Sequence, residues 1–532
     1  MKVELYDTTL RDGAQGEGIT FSLEDQISVV HWLDGLGIDY IEGGQPASNP
    51  KAARFFERAG QVSLKHAKIV AFGGTCHPHH KPEEDESVKK LLEAGTRHVA
   101  VVGKSWDFHV EKVLRTSLKR NLELIGGTIR FLKSRGREVF YDAEHFFDGY
   151  RENKNYALST IRAAQEAGAT RIILCDTNGG SLMTHVADAI DAAKRTVDVP
   201  LGIHVHNDSG LATANTLLAV EKGIVQVQGT INGYGERCGN ADLCAIIPNL
   251  CLKMGLHVVT DAQLRKLRDV SHYVSELGNI APRSNQPFVG HSAFAHKGGW
   301  HADAVSKDPR TCEHVPPESV GNYRRVLVSE LSGKGSVAAK AKSIGIDIDR
   351  DDRRTQELLQ RLKDLEEAGY QFEGADASLE LLMHKARGTH KRYFKHAGFR
   401  VIVEKREDNQ LISEATIKVV VDGKAEHTAA EGNGPVNALD NALRKALEPF
   451  YKQVTEMHLS DFKVRIIDGK AGTGAKTRVL IESSDKEDSW NTVGVDENII
   501  EASWQALVDS LEYKLMKDER TKKNRAARRK KK

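Results

Sequence analysis

A chain of 532 residues, 40% hydrophobic and 28% charged, with a net charge of only +2, has the composition of a globular protein and room for roughly two to four domains. No apolar run approaches the roughly 20 residues of a membrane helix, and six scattered cysteines (Cys76, Cys175, Cys238, Cys244, Cys251 and Cys312) lack metal-knuckle spacing. A membrane protein and a disulfide scaffold are excluded, and a cytoplasmic chain with reduced thiols is expected.

The N-terminus opens into an alternating strand, Lys2–Val3–Glu4–Leu5–Tyr6, with no apolar leader before it. Eight strand-like runs succeed one another: 3–7, 40–44, 68–74, 98–103, 138–144, 171–177, 202–208 and 225–233. Amphipathic stretches such as 22–36, 86–94, 151–167, 181–196 and 210–223 lie between them, with helical spacing in Leu182, Val186, Ala189, Ile190 and Ala193. Eight strands alternating with helices predict parallel βαβ units, and that number closes a (β/α)₈ TIM barrel over residues 1–254. An open doubly wound sheet is disfavoured because no G-x-G-x-x-G follows the first strand. Residues 255–395 are charged and mostly helical, a connector or lid reaching back over the barrel mouth. Residues 396–515 contain strands at 399–405 and 414–423, a helix at 436–450, strands at 463–468 and 478–483, and a helix at 497–515. The repeat predicts an internally duplicated α+β block with nothing catalytic in it. In residues 517–532 ten Lys or Arg face two acids, leaving the remaining chain at −6. That tail, the last part of a segment 516–532, is read as a solvated, disordered terminus rather than a nucleic-acid site.

In a barrel of this kind the reactive face is the C-terminal end of the strands. Strand 1 leads there to Asp7, Arg11 and Asp12, strand 5 to Glu144 and His145, strand 6 to Asp176 and Thr177, and strand 7 to His204 and His206. Residues i and i+2 of a strand share a face, so His204 and His206 can hold one ion. With Asp12 they make a two-histidine, one-carboxylate set that leaves positions for water and substrate. Arg11 and Asp12 also suit a structural ion pair at the rim, and Arg11 can polarise a carbonyl. Glu144 is either a site residue or the N-cap of the next helix. His301 and Asp303, in HSAFAHKGGWHADAVSKDP (291–309), are site residues or part of a capped loop.

DTTLRDGAQ, CDTNGG, HVHND and NGYGERCGN, in this order and spacing, resemble the family of 2-isopropylmalate, homocitrate and citramalate synthases, as does GNGPVNA in the third block. FYDAEHFFDGY (140–150) and HKGGWHADA (296–304) are most similar to the long bacterial branch that uses pyruvate. The resemblance implies a homodimeric acyltransferase joining acetyl-CoA to a small 2-oxo acid. It implies a divalent ion (Mg²⁺, Mn²⁺ or Zn²⁺) on Asp12, His204 and His206, with Asn240 at or near it. It further implies Arg11 on the keto oxygen, Thr177 on the acceptor carboxylate, Glu144 in support, and His301 with Asp303 acting on the acetyl methyl group. It makes the block 396–515 a regulatory or dimerisation domain, and isoleucine is the amino-acid effector it points to. One position departs from the pattern: Cys312 stands where a tyrosine is expected, which puts a tyrosine-dependent role of the connector in doubt. The other readings are another 2-oxo acid as acceptor, a retro-Claisen lyase, and a non-catalytic amino-acid sensor.

Overall fold

Eight short parallel strands close on themselves in the computed structural model, which describes residues 2–297, 299–327, 340–341, 352–407, 409–467, 472, 474–486 and 488–530. They are β1 (Glu4–Asp7), β2 (Tyr40–Glu42), β3 (Lys68–Gly74), β4 (His98–Lys104), β5 (Glu138–Glu144), β6 (Arg171–Asp176), β7 (Leu201–Val205) and β8 (Gln226–Gly229). β1 pairs with both β2 and β8, Tyr6 facing Tyr40 and Asp7 facing Gly229, and this closes the predicted barrel. Helices return the chain between strands and start where local chemistry directs. Ser22 and Asp25 form a capping box at the head of Leu23–Leu36. Asn49 caps a helix with Pro50 at its first position. The stretch read as one helix over 151–167 is two, Phe146–Glu152 and Lys154–Glu166. Asn153 leaves helical geometry at φ −140° and its side chain accepts from the Tyr156 N–H, as a cap does.

Alternation along the strands divides the barrel into two regions. Leu5, Ile41, Val99, Val139, Ile172, Ile203 and Val227 face outward and pack beneath the helices with Leu33, Phe55, Leu91, Ile129 and Ile161, all buried. The inward set is layered. Tyr6, Tyr40, Val70, Ala100, Phe140, Ile173 and Cys175 fill part of the barrel interior as a separate apolar cluster. Two residues further along their strands, from Tyr40 and Phe140, stand the buried acids Glu42 and Asp142. The apolar cluster keeps water out from one side, and the polar layer toward the strand ends becomes the site.

The chain divides into two compact units, residues 1–294 with 314–324, and residues 295–313 with 325–530 among those described. The expected connector is therefore shared. Its helix Leu267–Leu277 and the loop through Gln286 join the barrel, where Asn232 after β8 bonds to Ser271, Ser275 and Gln286. The helices Arg353–Glu367 and Asp376–Arg387 belong to the second unit, as does the small pairing of β9 (Ala295–His296) with β10 (Arg325–Val326). The duplication is present: β11 (Lys395–Lys405), β12 (Leu411–Val421) and β13 (Lys424–Gly432) precede helix Pro435–Leu447. β14 (His458–Ile466), β15 (Thr477–Ser484) and β16 (Ser489–Asp496) precede helix Ile499–Lys530. That last helix corrects one expectation, because the basic segment read as a disordered tail continues it to Lys530. Among the described residues no helix is long and apolar enough to cross a membrane.

Asp34, near the end of the first helix, ties that helix to the start of β3. Its carboxylate accepts the backbone N–H groups of Lys65, His66 and Ala67 at 2.8–3.1 Å. Burial opposes its ionisation, but these three bonds outweigh it and lower its pKa. A carboxyl depressed in the folded state stabilises fully above its unfolded pKa of about 3.9 and loses that contribution as pH falls through the folded value. Asp34→Ala should therefore cost about 1–2 kcal/mol at neutral pH. Urea unfolding across a pH series should show the gap between variant and parent narrowing in acid.

Candidate active site and metal centre

The turn after β1 is built by its own side chains. Asp7, fully buried, accepts the Thr9 N–H and hydroxyl at 2.9 and 2.8 Å, and this bends the chain so that Arg11 and Asp12 face the barrel axis. Arg11 is held from three sides. Its Nε donates to Glu42 at 2.5 Å, its Nη1 lies 3.3 Å from Asp12, and its guanidinium sits 4.0 Å from the centre of the Phe72 ring. Glu42 also accepts the Tyr6 hydroxyl and the Thr8 hydroxyl, both at 2.7 Å. Glu42 escaped the sequence reading, although a lone acid ending a buried strand on the mouth side was a usable signal.

β7 ends at Val205, shorter than the expected 202–208, and His206 is held instead by an isolated bridge to Asn240. The two histidines still share a face. Their Nε2 atoms lie 3.4 Å apart, and the same Asp12 oxygen is 3.2 Å from His204 Nε2 and 3.6 Å from His206 Nε2. Gln228 Oε1 lies 3.0 Å from His204 Nδ1 and so fixes the tautomer whose Nε2 lone pair points at Asp12. Two imidazole lone pairs and a carboxylate this close repel one another unless a cation or a proton lies between them. The residues fit a metal by a further test: buried Asn240 has a side-chain oxygen with no hydrogen-bond partner, while its amide nitrogen donates to the Tyr234 carbonyl at 3.1 Å. The charges around the cluster act in the same sense. Burial opposes the charge on Asp12, but Arg11 and the two histidines hold its pKa well below the usual carboxylate range. Burial pulls the His204 pKa down and Asp12 more than restores it, so the net shift is upward; at His206 burial wins and the shift is downward.

Glu144 ends β5 and pairs with Lys104 from the end of β4. It does not cap the following helix, whose N-cap position is His145. The Thr177 hydroxyl oxygen accepts the His145 N–H at 2.9 Å, which leaves its own proton for another acceptor. Asp142, inward on β5 between Phe140 and Glu144, was not singled out in the sequence. Burial raises its pKa, with Glu42 adding to the effect, and its Oδ1 has no hydrogen-bond partner. His301 and Asp303 lie on the helix Gly299–Lys307, which belongs to the second unit. His301 is exposed, and Asp303 accepts from Lys307 at 2.6 Å. Cys312, at the position of the absent tyrosine, is an exposed free thiol.

The HMGL-like family model matches residues 2–274, the homocitrate synthase post-HMGL domain-like model 288–370, and the LeuA allosteric (dimerisation) domain 373–515. The chain is 57% identical to the (R)-citramalate synthase of Geobacter sulfurreducens, covering 97% of this chain and 98% of that one. It is 52% identical to the (R)-citramalate synthase of Aquifex aeolicus, at coverages of 97% and 98%. Identity falls to 30% against the 2-isopropylmalate synthase of Methanocaldococcus jannaschii, at 98% and 96%. HMGL-like enzymes are metal-dependent, and Asp12, His204 and His206 are the candidate ligands.

His204→Ala and Asp12→Ala should abolish turnover while circular dichroism and melting stay close to the parent, since both side chains line a polar site rather than the apolar core. Full activity in a thoroughly chelated parent enzyme would contradict the metal assignment.

Proposed function

Because the chain belongs to the citramalate synthase family within the HMGL-like group, we propose that it condenses acetyl-CoA with pyruvate and releases citramalate and CoA, a step toward isoleucine. The observation that carries the site assignment is the convergence of Asp12, His204 and His206 beside a pinned Arg11. A divalent ion there (Mg²⁺, Mn²⁺ or Zn²⁺) would supply Lewis acidity toward the carbonyl of the 2-oxo acid. Arg11 places a fixed positive charge where the keto oxygen gains negative charge, and its orientation is set in advance by Glu42, Asp12 and Phe72. The Thr177 hydroxyl donates to the acceptor carboxylate. Glu144, paired with Lys104, supports the acceptor or the proton transfer. His301 with Asp303 removes a proton from the acetyl methyl group, whose carbon then bonds to the keto carbon. Water finally cleaves the thioester and CoA leaves as the thiol.

A lyase running such a bond cleavage would share this metal site, but a LeuA-type allosteric domain over 373–515 favours a regulated biosynthetic step. Pyruvate should be preferred over 2-oxoisovalerate by about 10–200-fold in kcat/KM, the scale of ~1–3 kcal/mol for added methyl groups in a fitted pocket. Thiol release from acetyl-CoA with each acid measures this directly. Equal rates would move the assignment to isopropylmalate synthesis.

The second unit supports a homodimer, because the two strand layers leave Val403, Leu411, Val464 and Ile466 exposed. We assign it an amino-acid effector, isoleucine. A coupling of ~1–3 kcal/mol would change affinity about 5–150-fold. Deleting everything after residue 395 is a poor test, because Ser378 bonds to Asp509 and Tyr370 to Gln505 across that cut. Titration of the full chain with isoleucine, leucine and valine is cleaner: isoleucine should inhibit at or below millimolar concentration, and no response to any of the three would leave this unit a purely structural one.

A further inference from the structure

Among the described residues, two groups bring a ligand atom from each of three side chains within 4.8 Å of one another. One is Asp12 with His204 and His206; the other is His109, Glu144 and His145. We propose that this second group is a separate site for a transition-metal ion of the zinc class, which withdraws Glu144 from the reaction when occupied.

Four observations carry the proposal. Two imidazoles and one carboxylate suit Zn²⁺, Co²⁺ or Ni²⁺. His145 is already arranged as a ligand: its Nδ1 lies 2.9 Å from Asp148 Oδ2, and buried Asp148 is itself fixed by Arg151 at 2.9 Å. That is the carboxylate–histidine arrangement that orients a metal-bound imidazole and leaves Nε2 for the ion. His145 also sits at φ 53°, in the left-handed region, with its N–H bonded to Thr177, so its ring direction is set by backbone and side chain together. His109 faces it with ring centroids 4.3 Å apart and is backed by the stacked Trp106 ring at 5.1 Å. Its Nδ1 is buried without a hydrogen-bond partner.

All three ligands are half-buried, so water can complete the coordination. An incoming dication must displace Lys104 from Glu144, and that competition marks the site as one for a reversible ion rather than a permanent one. The inhibitory consequence rests on the reading of Glu144 as a participant in the reaction; the binding does not.

Co²⁺ is the probe, followed in the full-length enzyme by equilibrium dialysis and by its visible absorption. Parent protein should bind one equivalent more than His204→Ala and one more than His109→Ala, and the double variant should lose both. The exposed His77, His79 and His80 are common to all of these proteins and cancel in the differences. If His109→Ala misfolds, His145→Asn serves, since asparagine tolerates the left-handed backbone and removes the ligand. Equal Co²⁺ stoichiometry in parent and His109→Ala, or none in His204→Ala, overturns the site. In saturating Mg²⁺, Zn²⁺ should slow the parent and require at least about tenfold higher concentration against His109→Ala. A bound second equivalent with undiminished turnover upholds the site and removes Glu144 from the mechanism.

Discussion

A guanidinium cannot sit inside a barrel without counter-charge, and the way Arg11 is balanced organises everything around it. Glu42 and Asp12 flank it, so one positive group is shared by two buried acids and a negative charge is left over. Asp142 adds a third carboxyl in the same interior, and burial pushes it toward its neutral form. The remaining imbalance appears at His204, whose pKa rises despite complete burial because Asp12 favours its protonated form. A proton or a cation placed between Asp12 and the imidazoles would answer that imbalance. The site is electrostatically incomplete without one of them, which is a stronger argument for a cation than the count of ligands.

Where the sequence was legible, and where it was not, follows from which forces are local. β3 and β5 match their expected ranges residue for residue, because short apolar runs bounded by turn residues are imposed by the chain itself. The end of β7 did not match. His206 and Asn207 leave the ladder for partners in the loop after β8, and pattern along one strand cannot show partners more than thirty residues away. β13, with the sequence KAEHTAAEG, has little β propensity and is a strand because β12 pairs with it along its length. The last helix outran its expected end for a related reason, since charge composition suggested solvation while the helical backbone continued.

The site shows the same division. The convergence of Asp12, His204 and His206 was legible because the rule about strand ends and the i, i+2 spacing of the histidines put them at one rim, while Asn240 was named only through the family resemblance. Glu42, Asp142 and Gln228 were missed because their roles depend on facing inward across the barrel, where they meet Arg11, the metal-site charges and His204. Parity along β2, β5 and β8 would have flagged them once the inward register was known. His301 and Asp303 are the opposite case. Their composition and family resemblance select them, while the barrel's own geometry says nothing of them.

The two sheet systems also differ in what they expose to other chains. A closed barrel has no edge strand, so each of its eight ladders is paired on both sides and offers no backbone template. The two three-stranded layers of the second unit end instead at β11, β13, β14 and β16, each paired on one side only among the described residues. Self-association by strand addition, whether into an ordered assembly or into aggregate, is therefore open to the second unit and closed to the barrel. Charged side chains along β11, including Arg400, Glu404 and Lys405, would then act as gatekeepers that select one partner register over the many a bare edge would accept.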